Sequence, residues 1–452
     1  MKRMRSLWLG MSAVILILGL GDLALAQMEG RRAPQVPMGP LPPLPSPLQG
    51  ERQERRNLNQ LIDEALKNNP EIVAARRAWE ATEARIPQAR SLEDPELGFE
   101  TWGVPLNRPA DFGQADSTMV TFRQKLPFPG KLRLKGEIAT EEAKMTEARY
   151  LAKEREIIAR VKNAYAGLFM AFKAIQIQSE HLELVKQILR ITEARYAAGR
   201  VPQQDVFKAQ VSQSEVFDNL IVAGQERQVA EAQLNTLLNR PPTAPFPPPS
   251  ELSPDMLPDD LRVEDLIQQV LELRPELKEM EAAIRGAEKA FDLAERNRKY
   301  PDFMVGYEYW FMPQADFKHN YAAMVSITIP FAPWSRTKYN SQVEEAGLTV
   351  AQRTADFQAI KNMAFFEIRD AFAKHKAARQ QLHLFRDALI PQTEQSYEAA
   401  LAAYEVGTVE FISLMEAARA IRDVRLGYYR ALADVEQRLA DLERAVGRDL
   451  IQ

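Results

Sequence analysis

The 452-residue sequence contains no cysteine. Disulfides, thiolate metal centres and cysteine nucleophiles are outside its chemistry, and lipidation at a cysteine is not expected. Histidine is scarce as well: His181, His319, His375 and His383 are the only four. His375 and His383 lie eight apart rather than at a ligand spacing of three or four, and no carboxylate–histidine motif is near. All four read as solvated residues, with His319 in a loop between two strands. Glycine-rich phosphate loops are missing, since Gly130 precedes a lysine without the rest of the Walker pattern, and there is no nucleophile elbow. No catalytic residue, cofactor or bound metal is expected, and the chain does not read as an enzyme.

Basic excess is also lacking. Lysine and arginine number 58 against 62 acids, a formal charge of −4, so no positive field invites nucleic acid. The one long apolar run is at the start, where Lys2, Arg3 and Arg5 precede a stretch over residues 7–20. Ala24-Leu25-Ala26 then offers a small-residue cleavage site, so residues 1–26 read as an export signal, with a retained signal anchor as the alternative. Cleavage removes three bases and one acid, moving the charge from −4 to −6. Residues 27–56 form a proline-rich, then charged, leader whose composition suits a flexible tether.

What the sequence does have is a duplication. Leu61, Leu66 and Pro70 match Leu266, Leu271 and Pro275 at a constant offset of 205. Pro95 matches Pro301, Pro127 matches Pro330, and Tyr196 and Gly199 match Tyr404 and Gly407. The first repeat spans 57–240 and the second 263–450, joined by a proline-rich linker over 241–262. Each repeat begins with helices. The first starts at Asn57, with Leu58, Leu61, Ile62, Ala65 and Leu66 on one face, and a second runs from Pro70 to about Ala89. Each then shows two alternating runs, at 97–102 and 119–126, and again at 303–311 and 321–329. In the second run Val120, Phe122 and Leu126 oppose Thr121, Arg123 and Lys125, the pattern of a strand between an apolar and a wet surface.

Each strand pair ends in a corner. Pro127, Pro129 and Gly130 form the first, Pro330 and Pro333 the second, and neither suits a ladder or a helix interior. Residues 131–201 then lack proline, and Val161, Tyr165, Leu168, Phe172, Leu182, Val185, Leu189 and Tyr196 continue a coiled-coil seam with polar breaks at Ser179 and Thr192. A helix of that length spans roughly 100 Å. It stops at Gly199 before Pro202, and a return helix follows to about Leu238. The second long helix, about 336–406, carries Pro391, which predicts a kink. The fold class is mainly α with a small β part, built from long antiparallel coiled-coil helices.

Strands of about nine residues match the 9–11 of a tilted transmembrane strand. Four cannot close a barrel, so strands must be pooled between chains, and three chains would give twelve. Tyr307, Tyr309 and Phe311 suit an interface girdle, with a sandwich core as the alternative reading.

The paired N-terminal helices, the Leu-Pro-Phe-Pro-Gly-Lys corner, both Tyr-x-x-Gly turns and the duplication resemble the TolC family of outer-membrane efflux ducts. The corner is most similar to the heavy-metal and cation efflux branch. The resemblance implies a homotrimer with a transmembrane β-barrel continued by a periplasmic α-barrel. Its partners would be a periplasmic adaptor, an inner-membrane transporter of the RND type and outer-membrane lipid, or it would serve a type I secretion system. It places Gly199, Arg200 and Val201 with Gly407, Thr408 and Val409 at the periplasmic tip, where an adaptor docks. The family often constricts the tip with acids six and nine positions after the second turn glycine. Here these are Ser413 and Glu416, with Asp205 six after the first turn glycine as a possible substitute. A periplasmic coiled-coil adaptor or structural protein is the competing class, though it needs no symmetric strand pairs; a general diffusion porin would need more strand and less helix.

Overall fold

The computed structural model describes residues 58–104, 115–249, 252, 261–313 and 315–450. The expected export signal, the leader and residues 250, 251 and 253–260 of the linker lie outside them. The first repeat runs α1 (Leu58–Asn68), α2 (Pro70–Glu83), α3 (Arg85–Arg90), β1 (Glu96–Trp102), β2 (Ser117–Leu126), α4 (Lys131–Ala197) and α5 (Gln203–Leu237). The second runs α6 (Val263–Leu273), α7 (Pro275–Lys299), β3 (Phe303–Phe311), β4 (His319–Ile327), α8 (Arg336–Leu384), α9 (Ile390–Val406) and α10 (Phe411–Val446).

Local chemistry sets the boundaries. Asn69 starts α2: its Oδ1 accepts the Glu71 N–H at 2.8 Å, while its Nδ2 donates to the Leu237 carbonyl at 2.9 Å. One buried side chain thus caps α2 and ties it to the end of α5, and Pro70 at the first helical position loses no bond. The helix expected to reach Ala89 breaks at Ala84 and restarts as α3. Pro87 explains this, because its ring would clash with the Glu83 carbonyl in an unbroken helix. In the new first turn its missing N–H has no intrahelical partner to lose. At Pro391 the interruption is a five-residue π turn, Phe385–Leu389, that widens the helix ahead of the proline and lets α9 continue from α8.

All strand pairs are antiparallel, in the order β1-β2-β3-β4. β4 starts two residues earlier than expected because Phe311 pairs with His319 at the hairpin end. His319 is therefore the first residue of a strand and not a loop residue. The strand stops at Ile327 because Thr328 turns to Asp302, donating its N–H to the Asp302 carbonyl at 2.9 Å and accepting the Asp302 N–H at 2.7 Å.

α4, 67 residues long, is the spine, packing against α2, α5, α7 and α10. Leu61 and Ala65 of α1 bury against Val161, Leu168 and Leu234; Leu266 and Val270 of α6 bury against Ile368 and Leu442 in the same way. Burying each such leucine contributes about 1.5–3 kcal/mol. Within the predicted seam Val161, Tyr165, Leu168, Leu182 and Val185 are buried. Thr192, expected as a polar break, is fully buried and donates to the Ile188 carbonyl at 2.8 Å, whereas Tyr196 is exposed.

The histidines require a correction. His181 and His375 are buried, at 4% and 3% exposure. A helix packed on several sides has no face left for a solvated imidazole. Burial pushes the His181 pKa down to about 4, with Arg422 and Arg419 adding to the shift and Asp423 opposing it. His375 is lowered too, again first by burial. A neutral His181 makes the unfolded chain the better proton acceptor below its ordinary value near 6.5. Stability is therefore expected to fall as pH drops from about 6.5 to about 4 and to level off below that. Thermal unfolding followed by circular dichroism across this window, in the wild type and in His181→Leu, should show a shallower slope in the variant.

Candidate functional site

The sheet has two chemically different faces. Register places Leu97, Phe122, Tyr307 and Ala323 in one row, Phe99, Val120, Tyr309 and Tyr321 in another, and Leu126, Phe303 and Ile327 at the corner end. The opposite face carries Glu96, Glu100, Arg123, Lys125, Glu308 and Ser326, with Arg123 and Glu308 paired at 3.4 Å. The apolar face is open: Leu97 is 76% exposed and Val325 72%. Single exposed apolar residues are ordinary, but a continuous apolar sheet face needs a non-aqueous neighbour. Among the described residues nothing pairs with the outer edge of β1 or of β4.

The two helical turns lie side by side at the far end of the long helices. Gly199 and Gly407 both adopt left-handed backbone, φ 70° and 86°. Gly199 N–H donates to the Tyr196 carbonyl and Arg200 N–H to Arg195; Gly407 N–H donates to Tyr404 and Thr408 N–H to Ala403, at 2.9–3.0 Å. This is a Schellman closure at both tips, satisfying the last helical carbonyls. The same motif ends α5 at Asn239, φ 56°, and a left-handed Gly447, φ 90°, ends α10.

Arg195 joins the turns. Its guanidinium stacks 4.6 Å over the Tyr404 ring and its Nη1 donates to the Tyr404 carbonyl. Tyr404 is 1% exposed, its hydroxyl 3.2 Å from Thr192 Oγ1. The repeat-related Tyr196 is 45% exposed, so the duplicated motif is not used symmetrically. Sequence reading missed Arg195 and the burial of Thr192; the one available signal was a base two residues before α4 ends, where it interacts favourably with the helix dipole.

Beside the tips, α5 and α10 enclose a groove of about 370 Å³ lined by Phe207, Val211, Ile412, Met415 and Glu416. Phe207, Val211 and Ile412 are 49–58% exposed. Glu416 thus shares a surface with apolar side chains of the other repeat. Ser413 is exposed and Asp205 half-buried, but neither lines the groove. Arg200, Thr408 and Val409 stand around the turns, and Val201 is half-buried.

At the other end, the first corner is locked. Lys131, 3% exposed, donates to Asp302 Oδ1 at 2.8 Å and to the Tyr300 carbonyl at 2.9 Å, while Phe128 N–H reaches the same carboxylate at 3.1 Å. Burial opposes charge on Asp302, yet these donors, with Lys125 nearby, hold its carboxyl below the usual range. Gly130 takes φ 92°, and Arg296 donates to the Pro129 carbonyl at 2.8 Å. Pro127 and Pro129 bracket Phe128, which stacks on Tyr300 with centroids 4.4 Å apart. The second corner, with Pro330 and Pro333, is closed instead by Ser335, whose Oγ lies 3.0–3.2 Å from the carbonyls of Ile329, Pro330 and Ala332.

The profile of the family described as outer membrane efflux protein matches residues 61–240 and 266–448, one segment in each repeat. The chain belongs to the outer membrane efflux protein family. Among curated relatives it is similar to the cobalt-zinc-cadmium resistance protein CzcC of Cupriavidus metallidurans, 22% identical over 397 residues, covering 85% of this chain and 88% of that one. Among solved structures it matches CusC with a TM-score of 0.73 at 19% identity, covering 86% of this chain and 92% of that one. It also matches VceC of Vibrio cholerae, with a TM-score of 0.71 at 19% identity and coverage of 87% and 96%.

No helix among the described residues is long and apolar enough to cross a membrane. The tips generate a prediction. A Cβ at Gly407 would approach Arg195 Nη2 to 2.9 Å, whereas the space around Gly199 is open. Both alanine substitutions carry the left-handed penalty of about 1–2 kcal/mol. Gly407→Ala should in addition displace Arg195. Hydrogen exchange at the tip amides is expected to accelerate more in Gly407→Ala than in Gly199→Ala.

Proposed function

We propose that this efflux protein is a homotrimeric exit duct: twelve pooled strands form an outer-membrane barrel, and the long helices continue it as a periplasmic cylinder. The observation that carries this reading is the sheet with one apolar face and two unpaired edges. In lipid every backbone polar group needs a partner within the protein, so β4 of one copy pairs with β1 of the next. The helix layer repeats the logic: α5 and α8 carry exposed Ile221, Val229, Met363 and Phe366, which a neighbouring copy covers. The absence of native cysteine permits a clean test. Thr101→Cys on β1, combined with single cysteines scanned along β4, should yield a covalent ladder ending at trimer for membrane-extracted protein. A ladder ending at dimer, or none at any position, would overturn the trimer.

The duct receives its substrate from a periplasmic adaptor and an inner-membrane transporter of the RND type. The turns at Gly199, Arg200 and Val201 and at Gly407, Thr408 and Val409 face the adaptor. The similarity to CzcC favours divalent metal cations as the exported class, which agrees with the acidic chain. Chemistry at the tip then falls to Glu416. Three copies form a carboxylate ring that draws cations to the narrow end. A second reading rests on its place beside Phe207, Val211 and Ile412: Glu416 belongs to an adaptor groove. Glu416→Ala separates the two. Reduced divalent-cation block in single-channel recordings assigns the ring, while unchanged block with weaker adaptor binding assigns the groove.

A further inference from the structure

The two corners are related by the duplication but not by their packing. In the first, Phe128 stacks inward on Tyr300 and Phe303, and Lys131 is buried on Asp302. In the second, Ile329 is 51% exposed, Phe331 60% and Trp334 87%. This is not a loose loop. Ala332 is buried beneath it, and Ser335 Oγ binds back to the carbonyls of the turn. A rigid corner therefore projects two large aromatic side chains outward. They continue the apolar row of β4, where Val325 and Ile327 are 72% and 55% exposed.

Immediately after Trp334 come Arg336 and Lys338, both exposed and without an ion-pair partner among the described residues. They sit in the first turn of α8, which has no acid. Bases at a helix N-terminus work against the macrodipole. α2, α5, α6 and α7 follow the favourable rule with acids in their first turns. α1, α3, α9 and α10 lack such acids, and α4 and α8, the two helices that leave the corners, begin instead with two bases each. An external anion beside Arg336 and Lys338 would turn that local cost into a gain.

We propose that the second corner is a membrane-interface anchor: Phe331 and Trp334 seat among the headgroups of the adjacent phospholipid leaflet, and Arg336 and Lys338 bind lipid phosphate. Amphipathic aromatic rings favour this depth, and bases near an anionic surface gain from its potential. Continuity with the apolar row of β4, together with two bases that lack an ion-pair partner (Lys338 rests only on the neighbouring Tyr339 ring, 5.4 Å from its centroid), selects a phospholipid surface over a protein partner. The inference rests on the outer-membrane barrel reading. It adds a depth gauge on one corner of each repeat pair, placed where the strands give way to the long helices.

The test uses the full chain in vesicles of phosphatidylethanolamine and phosphatidylglycerol carrying bromines either near the headgroup or deep in the acyl chains. Subtracting Trp334→Phe emission from wild type isolates the Trp334 signal. Expected is stronger quenching by the shallow bromines, rising with the phosphatidylglycerol fraction, with that rise lost in the Arg336→Ala/Lys338→Ala variant. Quenching by aqueous acrylamide alone would place Trp334 in water, and insensitivity to both quenchers would place it under a neighbouring copy; either overturns the anchor. A rise that persists in the double variant would overturn the phosphate assignment. Val325→Trp in the Trp334→Phe background is the control. Deep-bromine quenching there with none at Trp334 sinks the anchor alone, whereas no quenching at either site sinks the barrel reading itself.

Discussion

Two rows of backbone N–H and C=O groups, along the outer edges of β1 and β4, constrain everything else in this chain. Water would satisfy them, but the same sheet turns a continuous apolar face outward, and lipid offers no hydrogen bonds. One chain cannot resolve that conflict. Closure of the sheet between copies, as in the proposed trimer, would resolve it, and the helices would inherit the geometry, since each strand pair feeds a long helix through a stiff corner. The buried Lys131–Asp302 pair fixes one of these corners by joining the start of α4 to the start of β3. Its two partners come from different repeats, so the joint also registers one repeat against the other. Removing Asp302 would strand the buried Lys131 ammonium, which is why such pairs are costly to break.

The helical part solves a different problem with ordinary means. A spine of 67 residues needs neighbours on several sides, and α4 finds them in α2, α5, α7 and α10. The result removes the solvated face that an isolated amphipathic helix would keep. That is where neutral imidazoles and a buried threonine come from, and they follow from the number of neighbours a helix has.

Much of this was legible in the sequence because the signals were periodic or conformational. Alternation over 303–311 marked β3 and its faces, and the prolines at 127 and 330 marked the corners. Tyr-x-x-Gly marked two helix ends whose left-handed glycines the structure displays. What stayed hidden depended on partners distant in sequence. His181 and His375 look solvated when their own helices are read alone, and only α10 packed against them makes them buried. Tyr196 and Tyr404 occupy the same place in a repeated motif, yet Arg195 covers one and not the other. Element boundaries also shifted where a side chain intervened, as at Pro87 in α3 and Thr328 at the end of β4. At the tip, motif spacing located Ser413, Glu416 and Asp205, but spacing could not tell which of them shares a groove with Phe207.

The closed helix ends carry a consequence for how such a surface can change over time. At both tips the last carbonyls are consumed within the chain by Schellman bonds. A visiting protein therefore meets side chains, not a backbone template. Arg200 and Thr408 stand at the same position of the two motifs; Arg200 lends its N–H to the closure, whereas Thr408 adds its Oγ1 hydroxyl, which donates to the Ala403 carbonyl at 3.0 Å. Their side chains differ in size and charge while the turns remain alike. The scaffold thus leaves the side chain at Arg200 free to be rewritten, while the one at Thr408 is partly read by its own turn. A new partner can be acquired by exchanging residues that the fold does not read, with the glycines held constant beneath them.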